Sequence, residues 1–374
     1  MKYKIPFIKP SFPSAFALAK DYKDIIKRNW FTNFGPIETR FSKDASIFIS
    51  PQAHATTIAN ATQGIDAAIS ILFNNKKNYV IIPSFTFAAG ADIIIRNGYT
   101  PILIDINESS WQPDIIQANN AITKFKNDVA GIVLCNIFGV GNQTVSEWEK
   151  LAKAHKIPII IDTAAGFGSN YSDDERTGLR GDCEIFSLHA TKPFSVGEGG
   201  LVTSNNNKLI EKIRSWQNFG FESDRNIHII GTNAKFQEIN AAIALRQLKR
   251  FPSRLLARQK NLMIYKRQLA DIPNISFQPN DERSSVAFVS IKVGSEVLAN
   301  NIQKRLSSSG VEVRKYYAPL HFQSIIKKRS LTPFVLSNTE DLYAKILSLP
   351  LHDDMSKSKI KYICDIIRLV SSGK

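Results

Sequence analysis

Cysteine is scarce in this chain: 374 residues hold three, Cys135, Cys183 and Cys364, all far apart. An odd, widely spaced set argues against a disulfide framework and has no zinc-ligand spacing, so reduced thiols in a cytosolic protein are expected. Missing too is any apolar run of about eighteen or more residues, the length a membrane-spanning helix needs. The opening Met1-Lys-Tyr-Lys-Ile-Pro6 has no signal-peptide hydrophobic region, which makes a soluble, cytoplasmic protein the expectation. Six histidines and the carboxylates show no metal-ligand spacing, and no metal is expected. Internal repeats and low-complexity tracts are also lacking.

Positive charge is plentiful. Lys and Arg outnumber Asp and Glu by 48 to 33, a formal +15. Such an excess suits phosphate-rich partners. The lysines are nevertheless scattered, with only short clusters such as Lys76-Lys77 and Lys327-Lys328-Arg329, and no nucleic-acid-binding module accompanies them. An anionic small substrate is the better expectation. At 43% hydrophobic residues the chain can bury a large core, and its length exceeds one compact domain. Two domains are expected, a large one over residues 1–250 and a small C-terminal one over 251–374.

Short apolar runs recur through the first half: Tyr79–Pro83, Pro101–Asp105, Gly131–Cys135 and Pro158–Asp162, each followed by a polar or turn-rich segment. Runs of this kind separated by helices indicate a mostly parallel sheet covered on both faces, an α/β fold. Ligands of such sheets gather at the carboxyl ends of the strands. A helical pattern over 237–250 ends at Phe251-Pro252, where proline is expected to break it, and a second helix is expected over 255–269. The remainder reads as a smaller α/β unit: a strand over 285–291, a helix over 297–308 and a terminal helix over 358–370.

Chemistry concentrates in Ile185-Phe-Ser-Leu-His-Ala-Thr-Lys192-Pro-Phe-Ser-Val-Gly-Glu198-Gly-Gly200, where one lysine stands between an apolar strand and a glycine turn. A nucleophilic lysine needs its amine close to an aldehyde and partly desolvated, so that it is not fully charged. Upstream, Ile157-Pro-Ile-Ile-Ile-Asp162 ends an apolar strand in a carboxylate. Together these segments resemble the DegT/DnrJ/StrS family of pyridoxal-phosphate sugar aminotransferases, and the resemblance extends from Trp30-Phe-Thr-Asn-Phe-Gly-Pro36 to Leu347-Ser-Leu-Pro-Leu351.

The resemblance implies a fold type I pyridoxal-phosphate transferase, with pyridoxal 5'-phosphate as the cofactor. By the same resemblance, Lys192 is the amine for the cofactor aldehyde, and Asp162 the anion for its pyridinium nitrogen. Thr62 and Gln63, in Asn60-Ala-Thr-Gln-Gly64, hold the phosphate at a helix start, joined by the Ser187 hydroxyl. Phe87 is the family's ring-stacking aromatic; Phe85, two residues away, shares its face in an extended segment, so spacing alone does not choose between them. Asn233 resembles the asparagine that reaches the cofactor phosphate of a neighbouring subunit, which implies a homodimer with shared sites. Arg314, Tyr316 and His321, in Arg314-Lys-Tyr-Tyr-Ala-Pro-Leu-His321, resemble the stretch near the sugar-nucleotide site. The implied reaction moves an amino group, with glutamate as donor, to a nucleotide-diphosphate keto-deoxysugar, for the aminodeoxysugars of lipopolysaccharide, other glycans or glycosylated metabolites. A sugar dehydratase of the same fold would carry histidine in place of Lys192; a non-catalytic regulatory protein would have no need of the lysine, aspartate and phosphate segment together. Two departures stand out: Ala165 where the family commonly has His or Gln near the cofactor, and Ser42 where glutamate is usual, a position expected on a surface helix.

Overall fold

The computed structural model describes residues 3–171 and 175–373. Seven strands form the main sheet: β1 (His54–Ile58), β2 (Tyr79–Pro83), β3 (Thr100–Ile104), β4 (Val129–Cys135), β5 (Ile159–Asp162), β6 (Cys183–Ser187) and β7 (Gly200–Ser204). Their order is β1-β7-β6-β5-β4-β2-β3, parallel except at β7, which runs antiparallel to both neighbours. The four apolar runs of the first half become β2 to β5, and their side chains are buried on both faces because helices cover each side. Three further strands, β8 (Ser276–Phe277), β9 (Val289–Lys292) and β10 (Ile346–Leu349), make a small antiparallel sheet. It packs with Glu296–Ser308 and Lys357–Ser371 around a second apolar core that includes Leu262, Ile302, Leu347 and Ile363.

Two expectations about the C-terminal half need correction. Glu238–Leu269 is one helix of 32 residues that runs through Pro252. Proline removes a single donor; burial of Phe251, Leu262, Tyr265 and Leu269 along the same helix offsets that loss. The 250/251 boundary therefore falls inside a continuous helix. Ser284 and Ser285 lie outside any strand, and β9 begins only at Val289.

Near the N-terminus, α1 (Ala15–Arg28) is capped by the Ser14 hydroxyl, α2 (Pro36–Ile49) begins with proline, and α3 (Ala61–Leu72) begins with Asn60 as cap. Ser42 is not on a surface: it is 5% exposed and donates to Glu38 Oε1 at 2.8 Å. Glu38 is buried as well, held by Thr57 Oγ1 and by Arg214 at 3.3 Å. The carboxylate of Glu238 in turn accepts from the amides of Ile37 and Glu38, capping α2 from the long helix. Among the described residues no helix is long and apolar enough to cross a membrane, and no cluster of His, Cys, Asp and Glu could hold a metal. All three cysteines are buried and unpaired.

Candidate active site

The carboxyl ends of β2, β4, β5 and β6 open onto one cavity of about 640 Å³. Asp162 is the last residue of β5, and its carboxylate is anchored by the Ala164 amide at 2.9 Å. Burial raises its pKa, while the Ala164 amide and the charge of Lys192 lower it. Lys192 sits at the tip of the loop from β6 to β7. That loop is laced by backbone hydrogen bonds from Leu188 to Gly199 (2.8 Å) and from Ala190 to Gly197 (2.8 Å), and the Lys192 amide closes a turn on the His189 carbonyl at 2.9 Å. A lysine on so constrained a loop is presented to the cavity without the entropy loss of ordering a free loop. Burial pulls the Lys192 pKa below its ordinary value, and Asp162 pulls it back up. Among the described residues the two form no ion pair; both face the cavity.

Asn60 caps α3, its side chain accepting from the Gln63 amide at 2.9 Å. The first amides of α3 have no partner within the helix and lie at its positive end, and Thr62, Gln63 and Ser187 line the same side of the cavity. A helix start of this kind suits an anion. Its floor is tight. Gly200 passes so close to α3 that an added Cβ would stand 2.7 Å from the Asn60 carbonyl carbon and 2.8 Å from the Ala61 nitrogen.

The two phenylalanines left equivalent by spacing separate cleanly. Phe85 is fully buried, edge-on to Phe138 at 5.7 Å and to Tyr317 at 6.2 Å. Phe87 is 62% exposed, and its ring lines the cavity. Ala164 and Ala165 form a flat apolar stretch beside Asp162. Ala165 brings no polar atom where the family commonly has one.

Other expected residues lie apart. Tyr316 lines the cavity, but Arg314 does not: it is paired with Glu312 at 2.7 Å and lies over the Phe7 ring. His321 is buried behind the wall, bonded to Ser84 and Glu340. Asn233 is exposed outside the cavity, although the next residue, Ala234, accepts from the Ala59 amide at 2.7 Å beside α3. Sequence reasoning missed the opposite wall, made of Phe7, Phe138, Phe288 and Tyr317. Tyr317 stacks on Phe138 at 5.0 Å. The doubled tyrosine pointed to that segment; nothing around Phe7 marked it. Also missed was a buried network under Asp162: Asn136 donates to Thr163 Oγ1 (2.9 Å), which donates to Glu184 Oε2 (2.7 Å).

The DegT/DnrJ/EryC1/StrS aminotransferase family model matches residues 17–368. The chain belongs to this family. Protein Rv3402c of Mycobacterium tuberculosis is 41% identical to it over 99% of this chain and 89% of that protein. The dTDP-4-amino-4,6-dideoxy-D-glucose transaminase of Shigella dysenteriae is 30% identical, covering 93% and 94% of the two chains. Among solved structures, a candidate PLP-dependent aminotransferase from Bacillus cereus superposes with a TM-score of 0.91 at 31% identity, over 97% of this chain and 99% of the other.

Proposed function

We propose that this chain is a pyridoxal-phosphate-dependent aminotransferase that delivers an amino group to a nucleotide-activated keto-deoxysugar, with glutamate as donor. The observation that carries the reading is the common cavity of Lys192, Asp162 and the α3 N-terminus. A desolvated amine, a desolvated carboxylate and a helix N-terminus face one space, which an exposed aromatic ring and two small alanines also line. That donor set suits a flat, phosphorylated pyridine aldehyde. When bound, pyridoxal phosphate supplies a carbon that carries the amino group between substrates and a ring that stores the electrons of a broken C–H bond.

The chain's own residues do the rest. Lys192 would hold the aldehyde; Thr62, Gln63, Ser187 and the first α3 amides would hold the phosphate; Phe87 would cover one ring face. Asp162, whose pKa burial raises while the Ala164 amide and Lys192 pull it back down, would hold a proton on the ring nitrogen. Burial pulls the Lys192 pKa below its ordinary value, and once the donor amine had displaced it from the aldehyde, its Nζ would be placed to take the proton from the donor's α-carbon. Water is kept from that side by the Phe7, Phe138, Phe288 and Tyr317 wall. Tyr316, which lines the cavity, is a substrate-side residue of this reading, with Arg314, just outside the lining, as a cation for the diphosphate; His321 does not reach the cavity. Among the described residues that line the cavity, Lys192 and His189 are the sole ones with a cationic form, so a dianionic substrate needs help from outside it. A second copy of the chain would add a donor for the cofactor phosphate: Asn233 follows a segment in which Phe219, Phe221, Ile227 and Ile230 are exposed, and a homodimer would bury them and bring Asn233 to the partner's phosphate.

Borohydride reduction of the protein loaded with pyridoxal phosphate, followed by peptide mass spectrometry, tests the reading. The expected result is one modified lysine, Lys192, and no comparable labelling of Lys192→Ala. Labelling spread over surface lysines, or none, would overturn it. A coupled assay across nucleotide-ketosugars then selects the acceptor.

A further inference from the structure

His321 does not reach the cavity, yet it lies at a junction that shapes it. Ser84 directly follows β2 and opens the loop that carries Phe87. Its hydroxyl, fully buried, stands 2.6 Å from His321 Nδ1, and its carbonyl accepts the Leu320 amide at 2.8 Å. The other ring nitrogen of His321, Nε2, lies 3.1 Å from Glu340 Oε1 on the helix Ser337–Lys345. That helix is itself pinned to the sheet, since Asp105, just past β3, accepts from the amides of Asn338 (2.9 Å) and Thr339 (2.7 Å). In the neutral imidazole these contacts select one tautomer: Nε2–H donates to the Glu340 carboxylate, which leaves Nδ1 to accept from the Ser84 hydroxyl. Serine, histidine and carboxylate in a row resemble a hydrolytic triad, but a fully buried serine cannot meet a substrate, and it is bonded to Nδ1, not to Nε2 as in the serine-protease arrangement.

Given the proposed cofactor site, we infer that His321 is a positioning residue for the cofactor-covering wall. Through Ser84 it holds the loop bearing Phe87 against the segment bearing Tyr317, whose ring meets Phe87 edge-on at 6.2 Å. Both walls of the ring slot thus hang on one buried imidazole 237 residues away from Ser84 in the chain. A carbon side chain at 321 would leave the Ser84 hydroxyl without its acceptor in a dry place and loosen the loop.

The test is equilibrium binding of pyridoxal phosphate, read by absorbance titration and by the visible dichroism of the bound ring, on wild type, His321→Ala, Ser84→Ala, their double variant and His321→Asn. Asparagine keeps an acceptor near the Nδ1 position. Expected are a roughly tenfold weaker affinity and reduced dichroism in both alanine variants, no further loss in the double variant, and near wild-type binding in His321→Asn, with melting temperatures checked for each. If His321→Ala binds the cofactor like wild type and only the sugar KM rises, or if the two alanine losses simply add, the inference fails. A wild-type protein that does not bind pyridoxal phosphate would instead overturn the cofactor reading itself. Should His321→Ala fail to fold, Ser84→Ala against wild type decides alone: unchanged affinity and dichroism sink the inference, the tenfold loss upholds it.

Discussion

Phe85 and Phe87 stand two residues apart, carry the same side chain and should fail in opposite ways. Truncating Phe85, fully buried and edge-on to Phe138 and Tyr317, opens a cavity in a packed aromatic cluster and should cost about 3–5 kcal/mol of stability. Phe87 is 62% exposed, so Phe87→Ala should change the stability of the cofactor-free protein by less than about 1 kcal/mol. Its cost falls on binding. Covering one face of an aromatic ligand buries a ring's worth of apolar surface, about 1.5–3 kcal/mol, which is roughly a ten- to hundredfold weaker affinity for pyridoxal phosphate. Thermal melts without cofactor and absorbance titrations with it separate the two effects, and Phe87→Tyr should recover most of the affinity. Wild-type affinity in Phe87→Ala, or a large drop in melting temperature there, would show that the exposed ring is not the stacking surface.

Burial lifts the Glu184 carboxyl from its ordinary 4.5 to about 7 even though it accepts from the amides of Gly178 and Arg180 and from Thr163. The folded state then binds the proton more tightly than the unfolded one, so this group's contribution is fully present below about pH 4.5 and is lost as pH rises through 7, by about 3 kcal/mol in all. Wild-type stability minus that of Glu184→Gln should accordingly fall across that window in denaturant melts; parallel curves would refute the burial argument. Gly200→Ala should weaken pyridoxal phosphate binding about tenfold while the fold survives, because the new methyl pushes on the Asn60–Ala61 backbone at the anion site; unchanged affinity by titration would place the phosphate elsewhere. Mixing inactive Lys192→Ala with a strongly impaired Asn233 variant should restore activity through one intact site per heterodimer, and demonstrated subunit exchange without recovery would exclude a shared site.

What was legible in the sequence was local. Four apolar runs became β2 to β5 because a strand buried on both faces needs only apolar side chains in succession, and that signal lies within four to seven residues. The placement of Lys192 and Asp162 follows from local signals too: Asp162 ends β5, Lys192 lies on the loop that follows β6, and the parallel pairing of β5 with β6 brings both to one side of the sheet. Other features depend on distant partners. Ser42 is buried against Glu38 on its own helix, a carboxylate on which Thr57 and Arg214 also converge from two other elements, and no helical periodicity over 36–49 signals that burial. Pro252 carries the usual mark of a helix end, and the helix passes through it because tertiary burial on either side outweighs one missing hydrogen bond. His321 shows the limit most clearly, since its residue type and its neighbours suggested a group in contact with substrate, whereas its partners, Ser84 and Glu340, come from a strand end and a helix that only the fold places together. Resemblance can carry a residue's identity to a new chain, but the role depends on which atoms the fold sets within about 3 Å of it.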